Sequence, residues 1–304
     1  MTRISPWLWA KTSFAKYASA LLAKPPAVSV TTRHVPEPRP VWVPTRHGDV
    51  RCLVYRPHPD APLAADGHPP VHIHLHGGGF VLTNPRQDDF LATYVAAEVG
   101  AVVVSVDYST APQVRFPVAE EQSADVLAWV AASGHRMGWD GERIGIGGVS
   151  AGAKLALAAL QLAHRDGGPA ARAAVTLVPP VDVSISADEL HSSLPHPMID
   201  ARMLRILHGT YFVEQASRRD PLASPALDPH IADALPPLLV MTGEHDTLTT
   251  TATELVRRVA VEGADVTHLD LAAVDHDLGI STHPETIVDT VLEPIGEHLR
   301  RHLA

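Results

Sequence analysis

Residues 143–164 read RIGIGGVSAGAKLALAALQLAH, and the fold is decided there. Ile144 and Ile146 alternate with glycine, as in a short strand, whereas residues 153–162 carry an Ala- and Leu-rich run with the density of a buried helix. Between them lies Gly148-Val149-Ser150-Ala151-Gly152, a G-x-S-x-G on a predicted strand-to-helix turn. Backbone and helix approach closely in such a turn, and Gly148 and Gly152 suit it because they have no Cβ. The Ser150 hydroxyl is then expected to project above the sheet as a nucleophile. The N–H of Ala151, opening the helix, is expected to point at a developing oxyanion. Taken alone the pentapeptide is weak, arising by chance in roughly one chain in ten of this length. Its setting and its partners must carry the reading.

Working outward, residues 71–76 (VHIHLH) form an apolar strand entering Gly77-Gly78-Gly79-Phe80. Successive glycines allow a loop to turn its N–H groups inward, so Gly77, Gly78 and Gly79 are candidate oxyanion donors beside Ala151, with Gly78 and Gly79 favoured. His72, His74 and His76 share one strand face, a spacing that also suits a metal. No nearby carboxylate or thiolate offers a clear fourth ligand, and a triple glycine has no use in a metal site, so no metal is expected.

Beyond this point strands and helices alternate. Helix is expected at 88–99, strand at 101–106, helix at 117–132, strand at 171–178, strand at 237–242, helix at 249–262, strand at 265–271 and helix at 284–301. Such alternation predicts an α/β protein with a mostly parallel central sheet and helices on both faces. Residues 41–43 and 50–56 precede it as a hairpin at the sheet edge. The alternation breaks over residues 182–226, which hold a helical patch with Met203, Leu207, Tyr211 and Phe212. This stretch is expected to be a small helical cap whose apolar side chains, with Val149, face the substrate. Residues 1–24 read as an amphipathic, mildly basic helix suited to a lid, to packing on the body, or to a membrane surface. The predicted division is a cap segment at 1–45 and a catalytic domain at 46–304 carrying the 182–226 insertion.

A serine hydroxyl needs a base, and the base needs an acid to fix its tautomer. After Ser150, two loops at strand ends supply candidates, Asp246 and His276, in the chain order Ser, Asp, His. Glu244 is a rival acid closer to its strand, and His283, just before Pro284, reads as a helix-entry residue.

Bulk composition narrows the remaining classes. The chain has 304 residues, 45% hydrophobic and 19% charged, with a net charge of −10 and no long run of like charge, so nucleic acid is not an expected partner. The single cysteine, Cys52, excludes an intramolecular disulfide and is expected to pack in its strand. No stretch approaches a membrane span, and no secretory leader is evident, so a cytoplasmic location is expected.

Taken together, these residues resemble the hormone-sensitive-lipase-like branch of α/β-hydrolase esterases, from residue 71 to the C-terminus. His76 to Phe80 is similar to that family's H-G-G-G oxyanion motif, and Gly148 to Gly152 to its elbow. Asp107-Tyr108-Ser109-Thr110-Ala111-Pro112 with Phe116-Pro117 resembles its D-Y-R-L-A-P…F-P segment. The loop containing Asp246 resembles that of its triad acid, and His276 that of its triad base. Val149 stands where the family carries Asp or Glu. The resemblance implies an α/β-hydrolase fold and a serine carboxylesterase acting on small-molecule esters with short or medium acyl chains. It implies no metal or organic cofactor, and makes a homodimer plausible. An amide or formamide hydrolase on the same site is the alternative, and a non-catalytic ligand-binding protein the more distant one.

Overall fold

The computed structural model describes residues 4–22, 30–65 and 67–304. Eight strands form one sheet: β1 (Arg39–Val43), β2 (Val50–Tyr55), β3 (Val71–Leu75), β4 (Val102–Val106), β5 (Ile144–Val149), β6 (Ala173–Leu177), β7 (Leu238–Gly243) and β8 (Val266–Leu271). Their spatial order is β1-β2-β4-β3-β5-β6-β7-β8. The β1–β2 and β2–β4 pairs are antiparallel, and every other pair is parallel. The first hairpin closes through Gly48, at φ 95°.

Parallel strands require crossovers, and helices supply them. Among the described residues the α-helices are α1 (Pro6–Leu22), α2 (Asp89–Tyr94), α3 (Val118–Met137), α4 (Ala151–Asp166), α5 (Ala201–Thr210), α6 (Ile231–Ala234), α7 (Thr249–Val261) and α8 (Glu293–Leu303). The side chains of β3 and β4 are buried on both faces, as a doubly covered parallel sheet demands. On one face Ile73, Leu75, Val104 and Ile146 meet α3 and α4. On the other, Val103, Val175 and Met241 meet α2 and α8. Helix α4 lies deepest, with every residue from Ala151 to Leu162 buried, which accounts for its high Ala and Leu content. Cys52 packs fully buried in β2, where burial pushes its thiol pKa up to about 12.

Four elements differ from the sequence expectation. The helix expected at 88–99 is α2 followed by a wide π turn (Val95–Val99) that ends at Gly100. Helix α3 continues past residue 132 to Met137 and stops at Gly138, in the left-handed region. Ser133 and Gly134 look like breakers, but Gly134 is bare because the backbone of Gly141 and Trp139 crosses it; a Cβ there would meet Gly141 N at 2.7 Å. The C-terminal helical stretch is not one helix: a wide π turn (Val288–Leu292) precedes α8. Pro294 has no N–H for a bond to the preceding turn, and the backbone widens just before it. The short α6 carries no periodic signal and was not anticipated. Residues 182–226 contain no strand, as expected, but only α5 and two 3-10 turns. Of the N-terminal helix expected at 1–24, residues 1–3 and 23–24 lie outside the described residues; α1 contacts α5. Its Trp7, Trp9 and Phe14 are exposed. Among the described residues no helix is long and apolar enough to cross a membrane.

Candidate active site

The turn after β5 is built on missing side chains. A Cβ on Gly147 would sit 2.3 Å from Val175 O, one on Gly148 2.2 Å from Leu75 O, and one on Gly152 1.8 Å from Leu75 O. The strand end, the first turn of α4 and the end of β3 are therefore in backbone-to-backbone contact. Ser150 sits at the apex with φ 52° and ψ −115°, a backbone region that costs a non-glycine residue about 1–3 kcal/mol. Its N–H donates to Leu177 O at 2.8 Å, which fixes it to the adjacent strand. Ala151 is the first residue of α4, so its N–H belongs to the helix end that has no intrahelical acceptor.

The loops after β7 and β8 bring two side chains to the serine. His276 Nε2 lies 2.9 Å from Ser150 Oγ, and its Nδ1 lies 2.9 Å from Asp246 Oδ2. An ionised carboxylate only accepts, so Nδ1–H donates to Asp246, and Nε2 is left to accept the Ser150 hydroxyl proton. Asp246 is buried, and its other oxygen accepts the N–H of Leu248 at 3.2 Å. The imidazole is held from behind as well: the N–H of His276 donates to Asp275 Oδ1 at 2.7 Å. Asp275 Oδ2 accepts the N–H of Met198, tying the 182–226 segment to the histidine loop. Glu244, the rival acid, is exposed and accepts the N–H of Ala273, so it braces that loop from outside. His283 is also exposed, 3.7 Å from Glu285 at the helix entry.

The glycine loop runs beside this trio. Gly78 (φ 120°) and Gly79 (φ 58°) lie where side chains are strained, and Phe80 follows at φ 59°. Gly77 has ordinary φ, but a Cβ there would lie 2.9 Å from Gln87 Nε2 and 3.4 Å from Val149 O. Asp88, at the entrance to α2, holds the loop. One of its oxygens accepts from His74 Nε2 at 3.0 Å and from the N–H of Gly77 at 3.4 Å. His76 donates from Nδ1 to Gly77 O at 2.7 Å and stacks on Tyr108, whose hydroxyl donates to His76 O. Burial pushes the His76 pKa below its usual range. The three alternating histidines thus have separate surroundings: His72 is buried where Leu299 and Leu303 of α8 also approach Gly145, His74 binds Asp88, and His76 binds the loop.

The cap residues named from sequence divide. Met203 is exposed at 45% and faces outward, whereas Leu207 joins the core. Tyr211 and Phe212 present almost no surface; they pack around the Phe80 ring, at centroid distances of 4.8 and 5.2 Å. Val149 is half-buried at the end of β5. An open polar cleft of about 490 Å³ lies beside α5, lined by Ser184, Asp188, Arg205, His208 and Arg218, and none of Ser150, Asp246 and His276 lines it. Sequence reading missed Asp88, whose only signal was a carboxylate at a helix entrance, and a buried pair, Lys154 with Glu120. The signal for that pair was a lone charge within an otherwise apolar helix.

Residues 72–279 match the model of a family described as having the alpha/beta hydrolase fold. An ethyl acetate hydrolase of Pseudomonas putida is 30% identical over 251 residues, covering 82% of this chain and 78% of that protein. Carboxylesterase NlhH of Mycobacterium tuberculosis is 30% identical over 202 residues, 66% of this chain and 62% of that one. A hyperthermophilic esterase from the archaeon Pyrobaculum calidifontis superposes with a TM-score of 0.83 at 26% identity, covering 99% of both chains.

Proposed function

We propose, from the premise that this chain belongs to the α/β-hydrolase family and is a carboxylic ester hydrolase, that it cleaves short- to medium-chain acyl esters through Ser150, His276 and Asp246. The observation carrying this reading is the unbroken hydrogen-bonded line Ser150 Oγ, His276 Nε2, His276 Nδ1 and Asp246 Oδ2, each link 2.9 Å long. Within it, Ser150 attacks the ester carbonyl as His276 takes its proton, and Asp246 stabilises the imidazolium that forms. The tetrahedral oxyanion is held by N–H groups of Gly78, Gly79 and Ala151. His276 then protonates the departing alcohol. Water, deprotonated by the same imidazole, releases the acid from the acyl-enzyme and returns the serine.

The glycine loop, the elbow and the two triad loops support reading the chain as a member of the hormone-sensitive-lipase-like branch of the family. In this reading residues 1–45 and 182–226 act as a cap, and the Met198–Asp275 hydrogen bond links it to the base. The relative named for ethyl acetate supports a small acyl group.

The test is hydrolysis of p-nitrophenyl esters from acetate to laurate, wild type beside Ser150→Ala. The expected result is a maximum at short acyl chains and loss of at least about 10⁴-fold in the variant. Full activity in Ser150→Ala would refute the serine mechanism. Faster turnover of a matched anilide than of the ester would move the reading to amide hydrolysis.

A further inference from the structure

Helix α4 is buried on all sides from Ala151 to Leu162, yet one turn after the nucleophile it carries Lys154, with no exposed surface. Its ammonium is paired with Glu120 of α3, also without exposed surface. Three aromatic rings surround the charge: Phe80 and Phe116 at 5.6 Å and Phe212 at 5.5 Å from Nζ. The second oxygen of Glu120 accepts the hydroxyl of Tyr211 at 2.5 Å, and that hydroxyl accepts the N–H of Ala119 at 3.1 Å. Tyr211 closes the circuit by stacking on Phe80, with the planes 8° apart, while its carbonyl accepts the N–H of Phe116. The mechanism uses none of these charges.

Four separate pieces of chain meet at this one pair. Phe80 immediately follows Gly78 and Gly79, so displacing its ring turns the peptide units that carry one set of oxyanion donors. Lys154 donates its backbone N–H to Ser150 O at 3.1 Å, within the helical turn that carries Ala151 and the other donor. Glu120 opens α3, and Tyr211 with Phe212 follows α5 in the segment read as the cap. A buried ion pair is a poor source of net stability, because both ions lose their water; an apolar pair of similar volume often fills the space as well or better. What it provides is direction. The ammonium prefers aromatic faces and a carboxylate at defined positions, and the carboxylate prefers one hydroxyl.

We propose that Lys154, Glu120 and Tyr211 form a positioning set that holds the glycine loop, through Phe80, at a fixed separation from the nucleophile helix, and locks the segment following α5 to both. This rests on the serine-esterase reading above. The pair acts through Phe80 and the first turn of α4, touching neither substrate nor triad. It makes the spacing between the two halves of the oxyanion hole depend on where the 182–226 segment sits.

The experiment compares wild type, Lys154→Met/Glu120→Leu and Tyr211→Phe on p-nitrophenyl butyrate, reading kcat, KM and Tm, with Ser150→Ala in the same series. The double variant removes both charges together and leaves neither unpaired, so its Tm is expected to stay within a few degrees of wild type. Its kcat is expected to fall at least about tenfold with KM changed less than about twofold, since the lost interaction acts on the transition state. Tyr211→Phe keeps both charges and removes only the hydroxyl link; its kcat is expected to fall about threefold or more. Wild-type kcat in the folded double variant overturns the proposal, as does a lowered Tm with unchanged kcat, which marks a merely structural pair. If the double variant does not fold, Tyr211→Phe decides by the same criterion. Activity remaining in Ser150→Ala would instead overturn the esterase mechanism, separating the two failures.

Discussion

Replacing Gly152 by alanine adds one methyl group at the most crowded point of the elbow. Its carbon would lie 1.8 Å from Leu75 O, 2.4 Å from Leu75 C and 2.6 Å from His76 O, all main-chain atoms of β3 and the loop it feeds. Ordinary contact begins at 3.4 Å, so 3.4 less 1.8 leaves about 1.6 Å to be opened between α4 and the end of β3. No side chain can swing away; either the helix start or the strand end must move as a body. Overpacking of even a flexible core typically costs 1–3 kcal/mol, and a rigid backbone clash lies at or above the top of that range, about 3 kcal/mol or more. An unfolding entropy of about 2.1 cal/mol/K per residue over 304 residues gives roughly 1.5 °C per kcal/mol, so Tm should drop by about 5 °C or more. The shift also separates Ser150 Oγ from His276 Nε2, now 2.9 Å apart. A displacement of about 1 Å takes that contact beyond hydrogen-bond reach and costs about 10²-fold in kcat/KM. Gly167→Ala is the control: φ is 66° there, but no heavy atom lies within 4 Å, so it should cost about 1–2 kcal/mol and leave kcat/KM unchanged. The measurements are thermal unfolding by circular dichroism and ester hydrolysis well below Tm. A Gly152→Ala variant with wild-type Tm and kcat/KM would refute the close-approach reasoning.

The two acids of the β7 loop should separate cleanly. Asp246→Asn is expected to lower kcat by about 10³–10⁴-fold with little change in Tm, because the imidazole loses its preferred tautomer, while Glu244→Gln should stay within a fewfold of wild type. Comparable losses in both, measured on the same ester, would contradict the assignment. Acid sensitivity follows from three buried histidines: burial lowers the pKa of His72 to about 3, and of His208 and His298 to about 4. Above about pH 6.5 they are neutral in both states and contribute no slope; below it the unfolded chain binds protons that the folded one refuses. Stability should therefore fall with pH, by up to about 1.4 kcal/mol per pH unit for each histidine, from about 6.5 down to their folded values. Tm measured at pH 7.5, 5.5 and 4.5 tests this, and a His298→Gln variant with an unchanged acid slope would count against it.

How much of this was legible beforehand depended on whether a signal was local. Alternation of valine and isoleucine, runs of alanine and leucine, and glycines at fixed offsets sufficed for the sheet, the elbow and the glycine loop, because each reflects a constraint within a few residues. That Asp246 and His276 would meet near Ser150 was legible because both follow strands, and parallel strands bring their carboxyl ends to one edge. Helix α3 was cut short because Gly134 reads as a breaker, when its purpose is to admit a crossing backbone. The Lys154–Glu120 pair left only the lone charge in an apolar stretch as a signal, and its partner was not readable: the residues are 34 positions apart, and a glutamate near a helix start ordinarily faces water. Met203 and Tyr211 looked alike as apolar residues of one short helical patch. Only packing against Phe80 separates the buried ring from the exposed thioether.

The strand order has a consequence for how such a protein comes off the ribosome. After β5, each new strand is added to the outside of the previous one: β6 on β5, β7 on β6, β8 on β7. The sheet can thus accrete outward in the order of translation, with no later strand forced between two that have already paired. The three residues of the hydrogen-bonded line are delivered in that same order, with Ser150 after the fifth strand, Asp246 after the seventh and His276 after the eighth. On the proposed mechanism, a nascent chain displaying its serine therefore still lacks the imidazole that would activate it, and hydrolytic competence arrives only with the outermost strand and the loop that follows.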